Sequence, residues 1–208
     1  MSPVSEPIAG LILAAGASTR MGRPKALLPY RGESFLDRLI RLFSPCCSPV
    51  VVVVGYHADA VRAQARSLSA ATVVTNPTPE AGQLSSLQCG LRSLDPECAG
   101  AVFCPVDLPA IAPETVLRVA GELSAAAHSG AGTLLVIPRS GGRRGHPVGV
   151  RRELFSEFLA LAPTAQAREA IHRHAGATVY VEVDDPGILR DIDSPADYQS
   201  LLETEPGQ

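Results

Sequence analysis

A glycine turn followed by basic residues comes directly after the first apolar run of the chain. It reads Leu13-Ala14-Ala15-Gly16-Ala17-Ser18-Thr19-Arg20-Met21-Gly22-Arg23-Pro24-Lys25. Backbone N–H groups at such a turn can donate to phosphate oxygens, and Arg20 and Lys25 would offset the phosphate charge. The segment matches neither the G-x-G-x-x-G dinucleotide pattern nor the G-x-x-x-x-G-K-[ST] loop. We therefore expect a phosphate-binding loop, and the alternative is a tight turn with solvated cations.

Two further segments place polar groups beside the ends of predicted elements. Asp107 follows the apolar run Gly100–Pro105, at the carboxyl end of a predicted strand, where open α/β sheets bind their ligands. A carboxylate there can hold Mg²⁺ together with substrate phosphate oxygens, or it can serve as a loop residue or a cap for the helix that begins near Pro113. Gly82 and Ser86 lie where another helix opens, so they either contact a nucleotide or act as ordinary helix caps.

Apolar runs and helical patterns alternate through the first two-thirds of the chain. The predicted strands are Ile8–Ala14, Val50–Val54, Thr72–Thr75, Gly100–Pro105 and residues 133–137. They are apolar nearly throughout, which is typical of strands in a parallel sheet that is covered on both faces. Leucines, valines and alanines at helical spacing predict the covering helices. The pattern therefore predicts a three-layer α/β/α fold with a Rossmann-like, mostly parallel sheet.

The last third of the chain departs from this alternation of strands and helices. Helices are predicted near residues 153–161 and 164–174, then a half-exposed strand over residues 177–183, and a last helix that Ser194 and Asp197 cap. The alternating pattern of that strand favours an antiparallel C-terminal addition to the sheet. Residues 139–145 are rich in glycine and arginine, so we expect a mobile surface loop there. We expect one domain over residues 1–208, since domains commonly contain roughly 100–200 residues.

Composition argues against several classes of protein. The chain has 208 residues, 46% hydrophobic and 19% charged, and a formal net charge of −3. These values suit a protein with a substantial aliphatic core and argue against a nucleic-acid binder. The five cysteines are odd in number and show no C-x-x-C pairing, so we expect reduced thiols. No apolar segment approaches the ~20 residues of a membrane span, and no signal-peptide pattern is seen, so we expect a cytoplasmic protein with no membrane partner.

Five segments, in order along nearly the whole chain, resemble the motifs of the nucleotidyltransferases of the molybdenum-cofactor type. They are LAAGASTRMGRPKALLPYRGES, Gly82-Gln83-Leu84-Ser85-Ser86-Leu87, Pro105-Val106-Asp107-Leu108-Pro109, Gly145-His146-Pro147-Val148 and Asp191-Ile192-Asp193-Ser194-Pro195-Ala196-Asp197-Tyr198. The double alanine Ala14-Ala15 is similar to the CTP-using branch, whereas the guanylyltransferases usually have Ala-Gly-Gly there. The resemblance implies the nucleotide-diphosphosugar transferase fold and the transfer of CMP from CTP to molybdopterin, with release of pyrophosphate.

The resemblance also implies roles for individual residues. Catalytic roles fall to Arg20, Lys25 and Asp107. Nucleotide-binding roles fall to Leu13, Ala14, Ala15, Gly16, Lys25, Gly82 and Ser86. The implied cofactor is Mg²⁺, with Asp107 and Asp193 as its ligands, although Asp193 could instead favour the positive end of the last helix. The implied acceptor contacts are His146 and Arg168.

One segment departs from the pattern of this family. Cytidylyltransferases of this type often carry a Gly-Asp-x-Gly-Ala-Arg turn, and the corresponding stretch here reads Ala162-Pro163-Thr164-Ala165-Gln166-Ala167-Arg168. The glycines and the aspartate are absent, so a sugar phosphate or another phosphorylated acceptor stays open, as does GTP. A further alternative is a non-catalytic nucleotide or cofactor carrier for a molybdenum hydroxylase. For an enzyme, the expected protein partner is such a hydroxylase or its maturation factor.

Overall fold

Strands and helices alternate along residues 7–129, 132–162 and 164–204, the part of the chain that the computed structural model describes. The strands are β1 (Ile8–Ala14), β2 (Pro29–Tyr30), β3 (Glu33–Ser34), β4 (Val50–Val54), β5 (Thr72–Thr75), β6 (Gly100–Pro105), β7 (Leu135–Ser140), β8 (Arg143–Arg144), β9 (Val148–Arg151) and β10 (Thr178–Glu182). The helices are α1 (Phe35–Phe43), α2 (Ala58–Gln64), α3 (Gln83–Arg92), α4 (Pro113–Ser129), α5 (Phe155–Ala160), α6 (Ala167–Arg173) and α7 (Pro195–Thr204).

Eight of these strands form one sheet in the order β10-β7-β9-β6-β1-β4-β5, with β8 paired to β7, while β2 and β3 pair with each other. Strand β1 is parallel to its neighbours β4 and β6. Strand β9 is antiparallel to both β6 and β7, whereas the C-terminal strand β10 is parallel to β7. The expected antiparallel component is therefore present, but it is β9 and not the C-terminal strand. A short connection suffices between the antiparallel strands β7 and β9, while α5 and α6 carry the chain from β9 to β10 on the other side of β7.

The two faces of β1 explain why helices cover both sides of the sheet. Ile8 and Ile12 belong to a buried cluster with α1, α2, α4 and α7. Ala9 and Leu11 belong to a second cluster with α3, α5 and α6. Alternate side chains of a strand point to opposite faces, so a strand that is apolar at every position needs a layer on each side. The predicted three-layer α/β/α fold is confirmed.

Helix α1 begins after a capping serine, Ser34. Ser34 Oγ accepts a hydrogen bond from the backbone N–H of Asp37 at 3.0 Å. The buried carboxylate of Asp37 accepts from the backbone N–H groups of Arg66 and Ser67 at 2.8 and 2.7 Å. One side chain thus both completes the start of α1 and ties it to the segment that follows α2.

The connection between β7 and β9 differs from the expected mobile loop. Strand β7 begins two residues later than the apolar run 133–137 and continues to Ser140, where the chain turns back into β8. Gly141 and Gly142 form the turn, with φ angles of 55° and 77°. Positive φ at both turn residues is typical of the tight hairpins that match the twist of β-strands. The arginine-rich segment is therefore a β-hairpin.

Three other expectations have a clear outcome. The helix predicted over residues 164–174 begins only at Ala167. All five cysteines are free thiols, as predicted. Within the described ranges, no helix combines the length and the apolar character that crossing a bilayer requires.

Candidate active site

A cleft of about 230 Å³ opens at the carboxyl ends of β1 and β6. Its lining includes every residue that was predicted to have a catalytic, nucleotide-binding or metal-binding role, namely Leu13, Ala14, Ala15, Gly16, Arg20, Lys25, Gly82, Ser86, Asp107 and Asp193. These positions are far apart in the chain and meet because parallel strands deliver their carboxyl ends to one edge of a sheet.

The ammonium of Lys25 lies between two carboxylates in this cleft. Its Nζ donates to Asp107 Oδ2 at 3.1 Å and to Asp193 Oδ1 at 2.5 Å, and Arg20 Nη2 donates to Asp193 Oδ2 at 2.9 Å. The backbone N–H of Lys25 donates to Ser18 Oγ at 3.1 Å, which closes residues 15–25, the predicted phosphate-binding loop (the phosphate loop). The hydrogen bond from Lys25 is the main reason that the pKa of Asp193 lies below its usual value.

Asp193 faces the phosphate loop and not the helix that follows it. Ser194 caps α7, because its Oγ accepts from the N–H of Asp197 at 3.3 Å while Asp197 Oδ2 accepts from the N–H of Ser194 at 2.7 Å. Both carboxylate oxygens of Asp193 are instead engaged by Lys25 and Arg20. The geometry thus favours a role in the cleft over the alternative of supporting the last helix.

Asp107 and Asp193 form a donor set that suits a hard divalent cation. Each accepts a hydrogen bond from the same ammonium, so both carboxylates reach one region of the cleft. Mg²⁺ is commonly held by one or two carboxylates and completes its octahedral shell with waters and substrate phosphate oxygens. Among the described residues, no group of three or more His, Cys, Asp or Glu is placed to hold a metal. The pair therefore fits a cation that takes its other ligands from a phosphorylated substrate.

A third carboxylate, Asp191, adds negative charge near this pair. Burial raises the pKa of Asp191, and the charges of Asp107 and Asp193 raise it further. Asp191 was not predicted as a site residue, although it stands two residues before Asp193 in the same motif. Its position makes this end of the cleft more attractive to cations.

The segment after β4 supports the phosphate loop from outside. Tyr56 N–H donates to the carbonyl of Ala15 at 3.3 Å, and His57 Nε2 hydrogen-bonds the carbonyl of Ala17 at 2.9 Å. A Cβ at Gly55 would lie 2.6 Å from the Ala15 carbonyl oxygen, so only glycine allows this close approach. His57 also lines the cleft. His57 was not predicted as a site residue, because it belongs to no local motif.

The start of α3 forms another part of the cleft lining, separate from the ion-paired residues. Gly82, at a φ of 91°, precedes the helix, and Ser86 is buried on its first turns. Asn76, directly after β5, donates from Nδ2 to Ser85 Oγ at 2.8 Å and to Ser86 Oγ at 3.1 Å. Asn76 was missed in the sequence, and the available signal was its place directly after a predicted strand.

The two predicted acceptor contacts lie outside the lining of the cleft. The ring of His146 packs edge-on against Phe103 at a centroid distance of 5.7 Å, and its Nδ1 is buried without a hydrogen-bond partner among the described residues. Burial lowers the pKa of His146, and the nearby charge of Asp107 opposes that effect only in part. Arg168 is exposed on α6. Pro163, in the divergent turn before it, lies outside the described residues.

Two curated relatives align with nearly the whole chain. The molybdenum cofactor cytidylyltransferase of Escherichia coli (strain K12) is 26% identical over 193 residues, which cover 93% of this chain and 94% of the relative. The nicotine blue oxidoreductase of Paenarthrobacter nicotinovorans is 31% identical over 203 residues, which cover 94% of this chain and 96% of the relative. The two names describe different reactions, so similarity over the full length does not by itself choose between them.

A solved structure and a family model agree on the fold and the family. The crystal structure of Rv0371c from Mycobacterium tuberculosis H37Rv matches with a TM-score of 0.77 and 29% identity, over 96% of this chain and 99% of that one. A second structure of Rv0371c is a complex with manganese, with a TM-score of 0.74 and 28% identity over 95% and 99% of the two chains. Residues 10–179 match the model of the MobA-like NTP transferase domain, which confirms the predicted nucleotidyltransferase. The chain therefore belongs to the MobA-like NTP transferase domain family.

Proposed function

We propose that this chain is a CTP:molybdenum cofactor cytidylyltransferase, which transfers CMP to a molybdopterin-type acceptor and releases pyrophosphate. The observation that carries the proposal is the ammonium of Lys25 between Asp107 and Asp193, with Arg20 beside it, next to the phosphate loop. These groups meet the needs of phosphoryl transfer, in which catalysis consists mainly of positioning and charge stabilisation. The name of the Escherichia coli relative supports the same reaction.

The proposed reaction needs no covalent enzyme intermediate. An oxygen of the acceptor phosphate attacks the α-phosphorus of CTP, so one P–O bond forms while the bond from the α-phosphorus to the bridging oxygen breaks and pyrophosphate leaves. Backbone N–H groups of the phosphate loop orient the triphosphate. Arg20 and Lys25 stabilise the negative charge that builds on the leaving pyrophosphate. Asp107 and Asp193 hold the ammonium of Lys25 in place for this task.

The proposed cofactor is Mg²⁺, held by Asp107 and Asp193. When bound, such an ion neutralises charge on phosphate oxygens. The manganese complex of Rv0371c supports a divalent cation in this family. We expect EDTA to abolish turnover and added Mg²⁺ to restore it, and turnover that persists in EDTA would contradict this assignment.

The choice of substrates depends on fewer residues. Ala14-Ala15, at the start of the phosphate loop, supports CTP over GTP through the resemblance of this segment to the CTP-using branch. We assign the acceptor contacts to His146 and Arg168 on the same ground. Because burial lowers the pKa of His146, its ring would meet the acceptor in the neutral form.

The test is a pyrophosphate-release assay with each of the four nucleoside triphosphates, with and without a molybdopterin acceptor. The proposal predicts release with CTP that depends on the acceptor, and the loss of that release in Asp107→Ala. Pyrophosphate release that requires a sugar phosphate in place of molybdopterin would favour the alternative acceptors. Tight nucleotide binding without release under any condition would favour the carrier and refute the enzyme.

Oxidoreduction is the second candidate, because the relative from Paenarthrobacter nicotinovorans is 31% identical over 203 residues, against 26% over 193 residues for the Escherichia coli relative. Thermal unfolding separates the two at a ligand concentration about a hundredfold above Kd, where binding adds about 2.7 kcal/mol and raises the midpoint by about 5–10 °C. If the chain is a cytidylyltransferase, CTP with Mg²⁺ should raise the unfolding midpoint by this amount. A shift with a reduced nicotinamide nucleotide, together with reduction of nicotine blue, would favour the second candidate.

A further inference from the structure

The side-chain amide of Asn76 has only one orientation that satisfies its neighbours. The backbone N–H of Thr78 can only donate, and it lies 3.0 Å from Asn76 Oδ1. The amide nitrogen of Asn76 must therefore face the two serines of α3, at 2.8 Å from Ser85 Oγ and 3.1 Å from Ser86 Oγ. Asn76 is 3% exposed, so water cannot easily replace these partners.

This orientation determines what each serine does with its own hydrogen. Both hydroxyl oxygens accept from Asn76. Ser85 then donates to the carbonyl of Gly82 at 2.7 Å or of Thr78 at 3.1 Å. Ser86 has no acceptor for its hydrogen among the described residues, although it is 4% exposed and lines the cleft. The hydroxyl of Ser86 is therefore a hydrogen-bond donor that is free to act in the cleft.

We propose that Asn76 is a positioning residue for nucleotide selection, which holds the Ser86 hydroxyl as a donor toward the base. The inference rests on the proposed function, because it concerns the base of the bound nucleotide. A fixed donor pairs with a ring nitrogen that carries a lone pair, as N3 of cytosine does, and opposes the N–H that uracil has at that position. Asn76 thus favours CTP over UTP without touching the nucleotide, because a buried polar contact with the wrong polarity is costly.

The substitution Asn76→Asp reverses the polarity of the contact with little change in shape. A carboxylate still accepts from the N–H of Thr78, but it cannot donate to Ser86. The Ser86 hydrogen then turns to the carboxylate, and the oxygen of Ser86 becomes an acceptor in the cleft. We expect the ratio of CTP affinity to UTP affinity to fall at least tenfold, with part of the change being tighter binding of UTP.

Isothermal titration of the full chain with CTP and UTP in the presence of Mg²⁺ measures this ratio. Ser85→Ala is the matched control, since the Ser85 hydrogen is already used within the protein, and it should keep the wild-type ratio. Ser86→Ala should lower the ratio as well, which tests the same hydroxyl if Asn76→Asp does not fold. In the double variant Asn76→Asp/Ser86→Ala, the effect of Asn76→Asp on the ratio should disappear.

The outcomes separate this inference from the proposed function. Wild-type protein that binds neither nucleotide refutes the proposed function. Wild-type protein that prefers CTP, together with an unchanged ratio in a folded Asn76→Asp variant, refutes the role of Asn76 and leaves the proposed function standing. An unchanged ratio in Ser86→Ala also refutes it. If Asn76 had a purely structural role, Asn76→Asp would weaken the binding of CTP and UTP equally, and the ratio of the two affinities would not change.

Discussion

Replacing Lys25 by methionine removes one charge from the centre of the cleft and keeps most of the side-chain volume. Lys25 is the only residue that joins Asp107 to Asp193 among the ion pairs of the described chain. After the change, Asp193 keeps its partner Arg20 at 2.9 Å, whereas Asp107 loses its ammonium. The damage should therefore fall on the chemistry of the phosphate site more than on the fold.

The expected loss of activity follows from the number of donors removed. One preorganised donor to a developing negative charge is commonly worth a factor of about 10²–10³ in rate, or about 2.7–4.1 kcal/mol. The side chain of Asp107 is only 24% exposed, so leaving it unpaired should cost about 1 kcal/mol of folding free energy. That cost lowers the unfolding midpoint by about 2–4 °C in a chain of this size.

The assay is pyrophosphate release at saturating CTP and acceptor, with circular dichroism on the same preparations. Arg23→Met is the matched control, because Arg23 lies in the same loop and carries the same charge but does not line the cleft. It should keep wild-type turnover. A folded Lys25→Met variant with more than a tenth of wild-type turnover would refute the assigned role of the ammonium.

Three more predictions concern stability and binding. Asp37→Ala should lower the free energy of unfolding by about 2–3 kcal/mol in urea titration, because two backbone N–H groups lose their acceptor; a change below 0.5 kcal/mol would contradict this. Gly55→Ala should weaken CTP binding about tenfold, since its Cβ would lie 2.6 Å from a carbonyl of the phosphate loop, whereas Gly121→Ala, with open space around it, should not. Because the folded pKa of Asp193 is lowered, its stabilising effect is present above its unfolded pKa of about 3.9 and is lost as pH falls through the folded value. Acid unfolding should therefore depend less on this group in Lys25→Met, and identical acid transitions in the two proteins would count against it.

The sequence predicts the strands well where the apolar run coincides with burial on both faces. Strands β1, β4 and β6, which are buried at every position, have the predicted bounds, and so does the edge strand β5, which is exposed or only partly buried. Strand β9 was not predicted, because Val148–Arg151 begins inside the Gly145–Val148 motif, which was interpreted by its chemistry. Gly141-Gly142 carried the signal for the hairpin, since two glycines between strand-like residues favour a tight turn.

The site could be predicted as a set of residues but not as a network. Local motifs identify Lys25, Asp107 and Asp193, yet nothing local shows that one ammonium joins two carboxylates 82 and 168 positions away. His57 hydrogen-bonds the carbonyl of Ala17 and Asn76 donates to Ser86, and these contacts follow from tertiary structure alone. The two predicted acceptor contacts remain predictions, since neither lines the cleft.

The distance in sequence between Asp107 and Asp193 has a consequence for the protein during its synthesis. On the ribosome, Asp107 emerges about 86 residues before Asp193, which at common rates of synthesis is a delay of about 4–17 s, and the phosphate loop emerges earlier still. In the folded chain, the N–H of Ile192 donates a hydrogen bond to the carbonyl of Asp107 at 2.9 Å, and the hydroxyl of Tyr198 donates to the carbonyl of Pro29 at 2.6 Å. A nascent or truncated chain that ends before Asp193 thus contains the phosphate loop and Asp107 but lacks the carboxylate that completes the ion-pair network.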